Sequence, residues 1–350
     1  MLREAAAGAE LWQLRAAATR LKTQLTKVII MRTNSWLSAL LLVAAANAWA
    51  QSYPTRPVRA IIPFATGGSG DIALRGLAPE LAKQLGQPVP VENRPGANTA
   101  IGAEACARAA PDGHTICLLP IDSISLNPFL FTKLAYDPDK DLEPVAAVFS
   151  NVNGFIVNPA LKVNTLGELI ELAKAKPRTM NYGSPASFVR IFMEGFNATT
   201  GTDFQHIPYK GGGETATALL TGEIQVAFVS IANVTGLVKG GKLRILAIDA
   251  NARSAITPDS QTLAEAGYKG FPFRAWFGIF VPKATPAAIV RKLHADVMQA
   301  AASPGFREQV LIARGLEPMP PMTQEQFAAF LKEDRVRSEK LVRQSGIKPE

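Results

Sequence analysis

The residues best suited to chemistry form a short loop that follows an apolar run and precedes a helical pattern. The loop spans residues 65–71 and reads ATGGSGD. Gly67, Gly68 and Gly70 let a ligand approach the main chain, and Thr66 and Ser69 add hydroxyl groups. Unpaired N–H groups at the start of the next helix would complete a site for a small anion. A plain tight turn is equally compatible with this pattern.

The same stretch argues against several other chemistries. Asp71 falls at the helix start, where an acidic side chain most simply serves as a cap. No Lys-Ser/Thr pair follows the glycines, and the G-x-G-x-x-G spacing of a dinucleotide site is absent. No G-x-S-x-G motif occurs, and His114, His206 and His294 are too scattered to indicate a catalytic triad or a metal site. A binding protein without cofactor or metal is therefore favoured over an enzyme.

A second loop repeats the pattern of the first. Residues 60–77 read AIIPFATGGSGDIALRGL, and residues 205–222 read QHIPYKGGGETATALLTG. Each places an apolar residue, a proline and an aromatic residue before glycines, an acid and a helical segment. Coincidence between two strand–helix turns is the alternative. The repeat otherwise predicts two similar lobes that each offer one loop to a shared cleft.

Short apolar runs alternate with helical patterns along most of the chain, which indicates an α/β fold with mostly parallel sheets flanked by helices. We predict ten strands, at residues 58–64, 89–93, 115–119, 145–149, 154–158, 180–182, 204–207, 224–230, 243–249 and 275–281.

The first fifty residues have the features of an N-terminal extension followed by a secretory signal. Arg32 precedes an apolar stretch at residues 36–46, and the AWA at residues 48–50 is typical of a cleavage site. We expect the true start at Met31 and cleavage after Ala50; one unusually long signal is the alternative. Residues 1–50 hold six of the 37 Lys and Arg residues and two of the 29 Asp and Glu residues, so cleavage lowers the net charge from +8 to +4. A nucleic-acid partner is not expected, whereas a small anionic ligand is.

The chain has two cysteines, Cys106 and Cys117. An exported protein reaches an oxidising compartment, where the two can form a disulfide. The turn APDG at residues 110–113 lies between them and is compatible with a bridge. Two buried free thiols are the alternative.

The chain from Tyr53 to Glu350 resembles the substrate-binding subunits of tripartite tricarboxylate transporters, the Bug family of periplasmic solute receptors. The motifs that carry the resemblance are YPTRPVRAIIPF, TGGSGDI, VENRPGANTAIGAE, APDGHT, LNPFLF, LAYDPDKDLEPVA, LAKAKPRTMNYGS, IPYKGGGE, GKLRILAI and AWFGIFVP. The resemblance implies a two-lobed flytrap of the periplasmic-binding-protein type with a hinge. Residues 51–152 and 277–350 would form the first lobe, and residues 153–276 the second.

The resemblance also implies the ligand-binding residues. Loops at strand ends in both lobes would hold one carboxylate through backbone amides and hydroxyl groups. Carried over to this chain, the set comprises Phe64, Thr66, Gly67, Gly68, Ser69, Gly70, Asp71, Asp122, Ser123, Asn127, Ser184, Ala186, Ser187 and Tyr209, with Lys210 and Gly211 beside the last.

Three positions depart from the pattern of the family. Arg190 stands at or near a position where relatives usually have histidine, so it either grips a second carboxylate or is a surface arginine. Ser230 stands where many relatives have aspartate, and this change weakens the case for an amino-acid ligand. Gly70 replaces a residue that often carries a hydroxyl group. Together these departures favour a plain dicarboxylate or another aliphatic or aromatic carboxylate.

The resemblance implies a periplasmic monomer that captures a small carboxylate and delivers it to the permease subunits of a tripartite tricarboxylate transporter. Two alternatives remain open from the sequence. One is a receptor that presents its ligand to a sensor kinase, and the other is an exported enzyme that uses the same cleft.

Overall fold

A computed structural model describes residues 53–254, 256–268 and 274–349. The chain divides into two compact units, Met1–Thr55 and Arg56–Glu350, and of the first only residues 53–55 are described. The predicted extension, start at Met31, signal peptide and cleavage after Ala50 therefore lie outside the described residues and stay predictions. All described strands and helices belong to the second unit.

The first of two sheets has six strands in the order β12-β4-β11-β3-β1-β2. Its strands are β1 (Arg59–Ile62), β2 (Val91–Asn93), β3 (Thr115–Pro120), β4 (Leu142–Asn151), β11 (Trp276–Pro282) and β12 (Leu316–Pro318). β1 pairs in parallel with β2 and β3, whereas β11 pairs antiparallel with β3 and β4. The central strands β1 and β3 are almost wholly buried, which explains their continuous apolar sequences.

The second sheet also has six strands, in the order β10-β9-β5-β8-β6-β7. Its strands are β5 (Asn153–Val157), β6 (Asn181–Ser184), β7 (Gln205–Pro208), β8 (Val226–Ser230), β9 (Arg244–Asp249) and β10 (Gln261–Thr262). β6 runs parallel to β7 and β8, whereas β5 runs antiparallel to β8 and β9. All ten predicted strands are present, but both sheets are mixed rather than mostly parallel.

Helices connect the strands of both sheets. They are α1 (Ser69–Leu85), α2 (Ala100–Ala107), α3 (Asn127–Leu130), α4 (Pro138–Asp141), α5 (Leu166–Ala175), α6 (Ser187–Thr200), α7 (Gly212–Thr221), α8 (Thr235–Lys239), α9 (Ala287–Ala302), α10 (Pro304–Phe306) and α11 (Gln324–Ser345). A π-helical turn, Asp122–Leu126, joins β3 to α3. Among the described residues, no helix has both the length and the apolar character needed to span a membrane.

Two crossings connect the sheets. The first passes through Val152, between β4 and β5, and the second runs from β10 to β11. The backbone N–H of Asn151 donates to the carbonyl of Ala275 at 2.9 Å, so the two crossings lie side by side. The lobe boundaries stay a prediction. The strands on either side of the two crossings belong to different sheets, which supports that prediction. Trp276, predicted to end the second lobe, is instead the first residue of β11 in the first sheet.

Apolar residues pack on both faces of the second sheet. Phe155 of β5 belongs to a cluster that also contains Phe188 and Phe327, whereas its neighbour Ile156 belongs to a separate cluster. Adjacent residues of a strand point to opposite faces, so the two clusters cover opposite sides of β5. The first cluster includes residues of both sheets, and it joins them to the C-terminal helix α11.

Candidate functional site

The two glycine loops found in the sequence face each other across the gap between the sheets. Gly68 immediately precedes α1 after strand β1, and Gly211 immediately precedes α7 after strand β7. The backbone N–H of Ala65 donates to the carbonyl of Lys210 at 3.3 Å. A Cβ atom at Gly211 would lie only 3.2 Å from the Cβ of Ala65. The loops of the two sheets are therefore in direct contact, as in a closed flytrap.

Both loops present the N-terminus of a helix. The N-cap residues Gly68 and Gly211 have no side-chain cap, because glycine offers none. The N–H groups of the first helical turn have no acceptor within their own helix, and the helix dipole is positive at this end. Two such ends that meet at one place form a site for an anion.

A cavity of about 40 Å³ lies between the loops. By volume it holds a few water molecules. Residues of both sheets line the cavity, which places it in the cleft. The lining residues are Phe64, Gly68, Ser69, Gly70, Pro120, Asp122, Asn151, Asn153, Pro185, Ala186, Phe188, Val189, Gly212, Val229, Ser230, Asn233, Ala275 and Phe277.

Seven of the residues predicted from the sequence line this cavity. They come from the first loop, the π-helical turn after β3, the start of α6 and the end of β8. They are Phe64, Gly68, Ser69, Gly70, Asp122, Ala186 and Ser230. Chain segments more than 150 residues apart thus meet at one point, which is what a shared cleft requires.

Four other predicted residues, Ser184, Ser187, Arg190 and Tyr209, line a second and larger pocket of about 430 Å³. In this pocket the Ser184 hydroxyl lies 2.8 Å from Nε2 of His206. Burial, reinforced by the positive charge of Arg190, lowers the pKa of His206 to about 4, so this imidazole is neutral at pH 7.

Arg190 lines the second pocket rather than the cavity between the loops. Ser187 and Arg190 are three residues apart on α6, so they share one face of the helix, and that face borders the second pocket. Phe188 and Val189 face the cavity instead. The two spaces share Pro185 and Ala186 as a common wall. A contact of Arg190 with a second carboxylate therefore stays a prediction.

The remaining predicted residues line neither the cavity nor the second pocket, and most of them make hydrogen bonds that support the loops of the site. Asp71 accepts a hydrogen bond from the Gly67 N–H at 3.0 Å and from Asn93 at 2.8 Å, and it pairs with Arg75 at 2.9 Å. Burial by itself raises the pKa of Asp71, but these donors outweigh it and lower that pKa below its ordinary value. The loop is thus fastened to the first turn of α1. Thr66 lines neither space.

Ser123 and Asn127 support a neighbouring turn in the same way. The Ser123 hydroxyl donates to Thr99 Oγ1 at 2.8 Å, and the Asn127 amide donates to the carbonyl of Asn98 at 2.9 Å. Ala97, Asn98 and Thr99 all have positive φ angles, of 45°, 45° and 71°. This conformation is uncommon outside glycine, so the turn depends on the bonds that hold it.

The supported turn reaches across to the other lobe. Asn98 Oδ1 accepts the backbone N–H of Ser187 at 2.8 Å, and Asp122 Oδ1 accepts that of Phe188 at 2.8 Å. Two side chains of the first lobe thereby cap the N-terminus of α6 in the second. Burial raises the pKa of Asp122 to about 6, although the amide hydrogen bonds act in the opposite direction. We call these two contacts the α6 clasp.

Several residues of the site are absent from the sequence-based set, among them Asn98, Asn151, Asn153, Gly212 and Asn233. A usable signal existed for two of them. Asn151 and Asn153 interrupt a long apolar run at the crossing between the lobes, and polar side chains there need hydrogen-bond partners, which a ligand can supply. Asn98 gives no signal in the sequence, because its contact is with a residue 89 positions away.

The predicted disulfide is present. Cys106 of α2 and Cys117 of β3 are bonded, with their Cα atoms 6.1 Å apart. Both cysteines are fully buried. The alternative of two free thiols is wrong.

The comparisons with known proteins agree with this geometry. Residues 73–347 match the family described as "Tripartite tricarboxylate transporter family receptor", TctC. Protein BugT of Bordetella pertussis is 34% identical to this chain over 307 residues, which are 87% of this chain and 94% of BugT.

Two solved structures with bound carboxylates are also similar. A protein of R. palustris with adipate has a TM-score of 0.80 and 28% identity, and the match covers 85% of this chain and 100% of that chain. MatC from Rhodopseudomonas palustris, with bound malate, has a TM-score of 0.77 and 31% identity over 83% of this chain and 100% of MatC. The two sheets and their flanking helices thus form the predicted periplasmic-binding-protein fold, and the chain belongs to the Bug, or TctC, family of solute-binding receptors.

Proposed function

We propose that this protein is a periplasmic receptor that captures a small carboxylate between its two lobes and delivers it to a tripartite tricarboxylate-type membrane permease. The observation that carries the proposal is the direct contact of two glycine loops, each at the start of a helix and each on a different sheet. Similar proteins with bound adipate and malate support a carboxylate as the ligand.

The proposed mechanism is a shift between open and closed forms. In the open form each lobe presents half of the site. A carboxylate that accepts hydrogen bonds from both loops stabilises the closed form by as much as its affinity for that form exceeds its affinity for the open one. The closed receptor then docks on the permease and releases the ligand there. Export to the periplasm follows from the predicted signal peptide.

Catalysis is not part of the proposal. Among the described residues that line the cavity there is no histidine, cysteine, lysine or arginine. Ser69 and Ser230 therefore have no histidine or lysine in the cavity to activate a hydroxyl nucleophile, and the carboxylate of Asp122 in the lining accepts the Phe188 N–H. Binding without chemical change is the function that this set of side chains supports best.

The ligand class is tested by thermal unfolding with a panel of mono-, di- and tricarboxylates and amino acids. A ligand present at a hundred times its dissociation constant stabilises the folded protein by about 2.7 kcal/mol, which raises the melting temperature by roughly 5 °C at this chain length. We expect a rise of this size for at least one carboxylate. No rise with any carboxylate, confirmed by calorimetric titration, would show that the proposed ligand class is wrong.

The proposed partner is tested by uptake of the labelled carboxylate into cells with and without the gene for this chain. We expect uptake to depend on the gene and to return with a plasmid copy. Uptake that persists while the cells lose a transcriptional response to the ligand would favour the sensor-kinase alternative over transport.

A further inference from the structure

Asp122 is a buried acid at the contact between the two lobes. Its side chain belongs to the π-helical turn of the first lobe, and the residue is only 2% exposed. Its Oδ1 accepts the backbone N–H of Phe188 across the lobe boundary at 2.8 Å. Separation of the lobes would break this bond and admit water to the carboxyl group. The surroundings of Asp122 therefore differ between the open and closed forms.

No positively charged side chain compensates a negative charge on Asp122. Among the described residues, the groups that donate hydrogen bonds to its carboxylate are backbone N–H groups, chiefly that of Phe188. A buried carboxylate without a cationic partner favours its neutral form. The neutral form keeps the contact between the lobes, because the carbonyl oxygen of a protonated carboxyl still accepts the Phe188 N–H.

The charged and titratable side chains on the elements packed around Asp122 have other partners or face elsewhere. Those of the first lobe are Tyr136, Asp334 and Arg335, which bond to the carbonyl of Ser123, to Trp276 and to the carbonyl of Ile124. Those of α6 are Arg190 and Glu194, which lie one helical turn apart, and Arg190 lines the second pocket. Burial raises the pKa of Tyr136, so this phenol stays neutral.

The cavity brings the charge of a bound anion close to Asp122. The cavity measures only about 40 Å³, and its wall contains both the Asp122 side chain and the starts of the two loop helices. Two negative charges that share a buried site repel each other strongly, so one of them becomes protonated. The loop N–H groups and helix dipoles favour the ionised form of the ligand. The proton therefore goes to Asp122.

We propose that closing of the lobes on a carboxylate takes up a proton from solution, and that Asp122 is the group that binds it. The inference rests on the proposed function and adds a property to it, because capture of the ligand then strengthens as the surroundings become more acidic. The proton neutralises the protein group that would otherwise repel the ligand.

The sign and size of the effect follow from the two forms. In the open form water solvates the carboxyl, so its pKa lies near the ordinary value of 3.8, whereas burial raises it to about 6 in the closed form. The closed form therefore binds more protons between these two values. Affinity should rise roughly tenfold as the pH falls from 7 to 5, and the repulsion by the ligand adds to this factor.

Calorimetric titration with L-malate, adipate and citrate at pH 7 and pH 5 tests the proposal. Asp122→Asn keeps an acceptor for the Phe188 N–H but cannot ionise. For an acid that binds, the tightening from pH 7 to pH 5 should be roughly tenfold greater in the unmodified protein than in Asp122→Asn. This comparison removes the titration of the acid itself.

Asp334→Asn is the matched control. Asp334 is also a buried acid of the first lobe, 1% exposed, and it accepts the Trp276 indole N–H at 3.0 Å. It does not line the cavity, so its replacement should leave the pH dependence of the unmodified protein unchanged. Loss of the pH dependence in Asp334→Asn and not in Asp122→Asn would overturn the assignment to Asp122.

A second measurement needs no variant. Titration at pH 6 in two buffers of different ionisation enthalpy should show uptake of about half a proton for each ligand bound. A ligand that binds as an anion can only release protons, so net uptake comes from the protein. Absence of uptake, or equal pH dependence of the unmodified protein and Asp122→Asn, would overturn this inference alone. Failure of every carboxylate to bind would overturn the proposed function as well.

Discussion

Replacing Asn98 with glycine tests whether the α6 clasp helps to close the lobes. Asn98 has a φ of 45°, which glycine adopts without strain, so Asn98→Gly removes the side chain and keeps the turn. The bond between the Asn98 amide and Asn127 lies within the first lobe, so its loss affects the open and closed forms equally. The bond to the Ser187 N–H crosses between the lobes, so separation of the lobes would break it.

The size of the effect follows from that single bond. A neutral hydrogen bond contributes about 1 kcal/mol net, so its loss shifts the closing equilibrium roughly fivefold towards the open form. Because only the closed form holds the ligand on both sides, the dissociation constant should rise by the same factor, roughly fivefold. Calorimetric titration with the carboxylate that gives the largest thermal shift measures this constant.

Lys162→Gly is the matched control, since Lys162 also has a positive φ, of 59°, and follows a short helical turn in the second lobe. Its affinity should equal that of the unmodified protein. Small-angle scattering of the ligand-free proteins adds a second readout, in which Asn98→Gly should be the more open. If Asn98→Gly bound as tightly as Lys162→Gly, the clasp would contribute nothing to closure and the reasoning would be refuted.

Three further predictions concern the disulfide, the buried acid and the loop contact. Replacing Cys106 and Cys117 with serine should lower the free energy of unfolding by about 3 kcal/mol, because the unfolded chain regains the entropy of the loop that the bond closes. Urea denaturation measures this free energy, and equal stability of the two proteins would contradict the prediction. Burial raises the pKa of Asp122 from 3.8 to about 6, so folding disfavours the ionised carboxylate. The free energy of unfolding of the unmodified protein, relative to that of Asp122→Asn, should therefore rise by up to about 3 kcal/mol as the pH falls from 7 to 4. Urea denaturation at both pH values checks this, and a pH-independent difference would show that the carboxyl is not buried in solution. Gly211→Val should push the loops apart and weaken ligand binding at least tenfold without unfolding the protein. Gly236→Val is the control, because that position has open space around it, and it should bind the ligand normally. Normal binding by Gly211→Val would mean that the loops do not meet in the bound form.

The strands were predictable because their apolar runs are continuous and buried on both faces. β10 and β12 were missed because strands of two or three residues are too short to show the alternation of apolar and polar residues that identifies a strand. The antiparallel direction of β4, β5 and β11 was not predicted, for a different reason. Only one residue separates β4 from β5, yet the two strands belong to different sheets. The direction of each strand relative to its neighbours therefore depends on the sheet that it joins, which the sequence does not show.

The site was predictable only where one loop carries its own signal. The glycines, the repeat and the acid at the helix start identified both loops, and the structure places them in contact. The sequence does not show which space Arg190 borders, because that depends on the rotation of α6 about its axis. Asn98 and Asn233 join the site through long-range packing that no local pattern records.

The most direct test of the central claim is a crystal structure with the carboxylate that binds most tightly. We predict that one carboxylate group of the ligand lies within hydrogen-bonding distance of backbone N–H groups at both loops, at the starts of α1 and α7, with the lobes closed around it. A ligand bound instead in the second pocket beside Arg190, with no contact to either loop, would contradict the account.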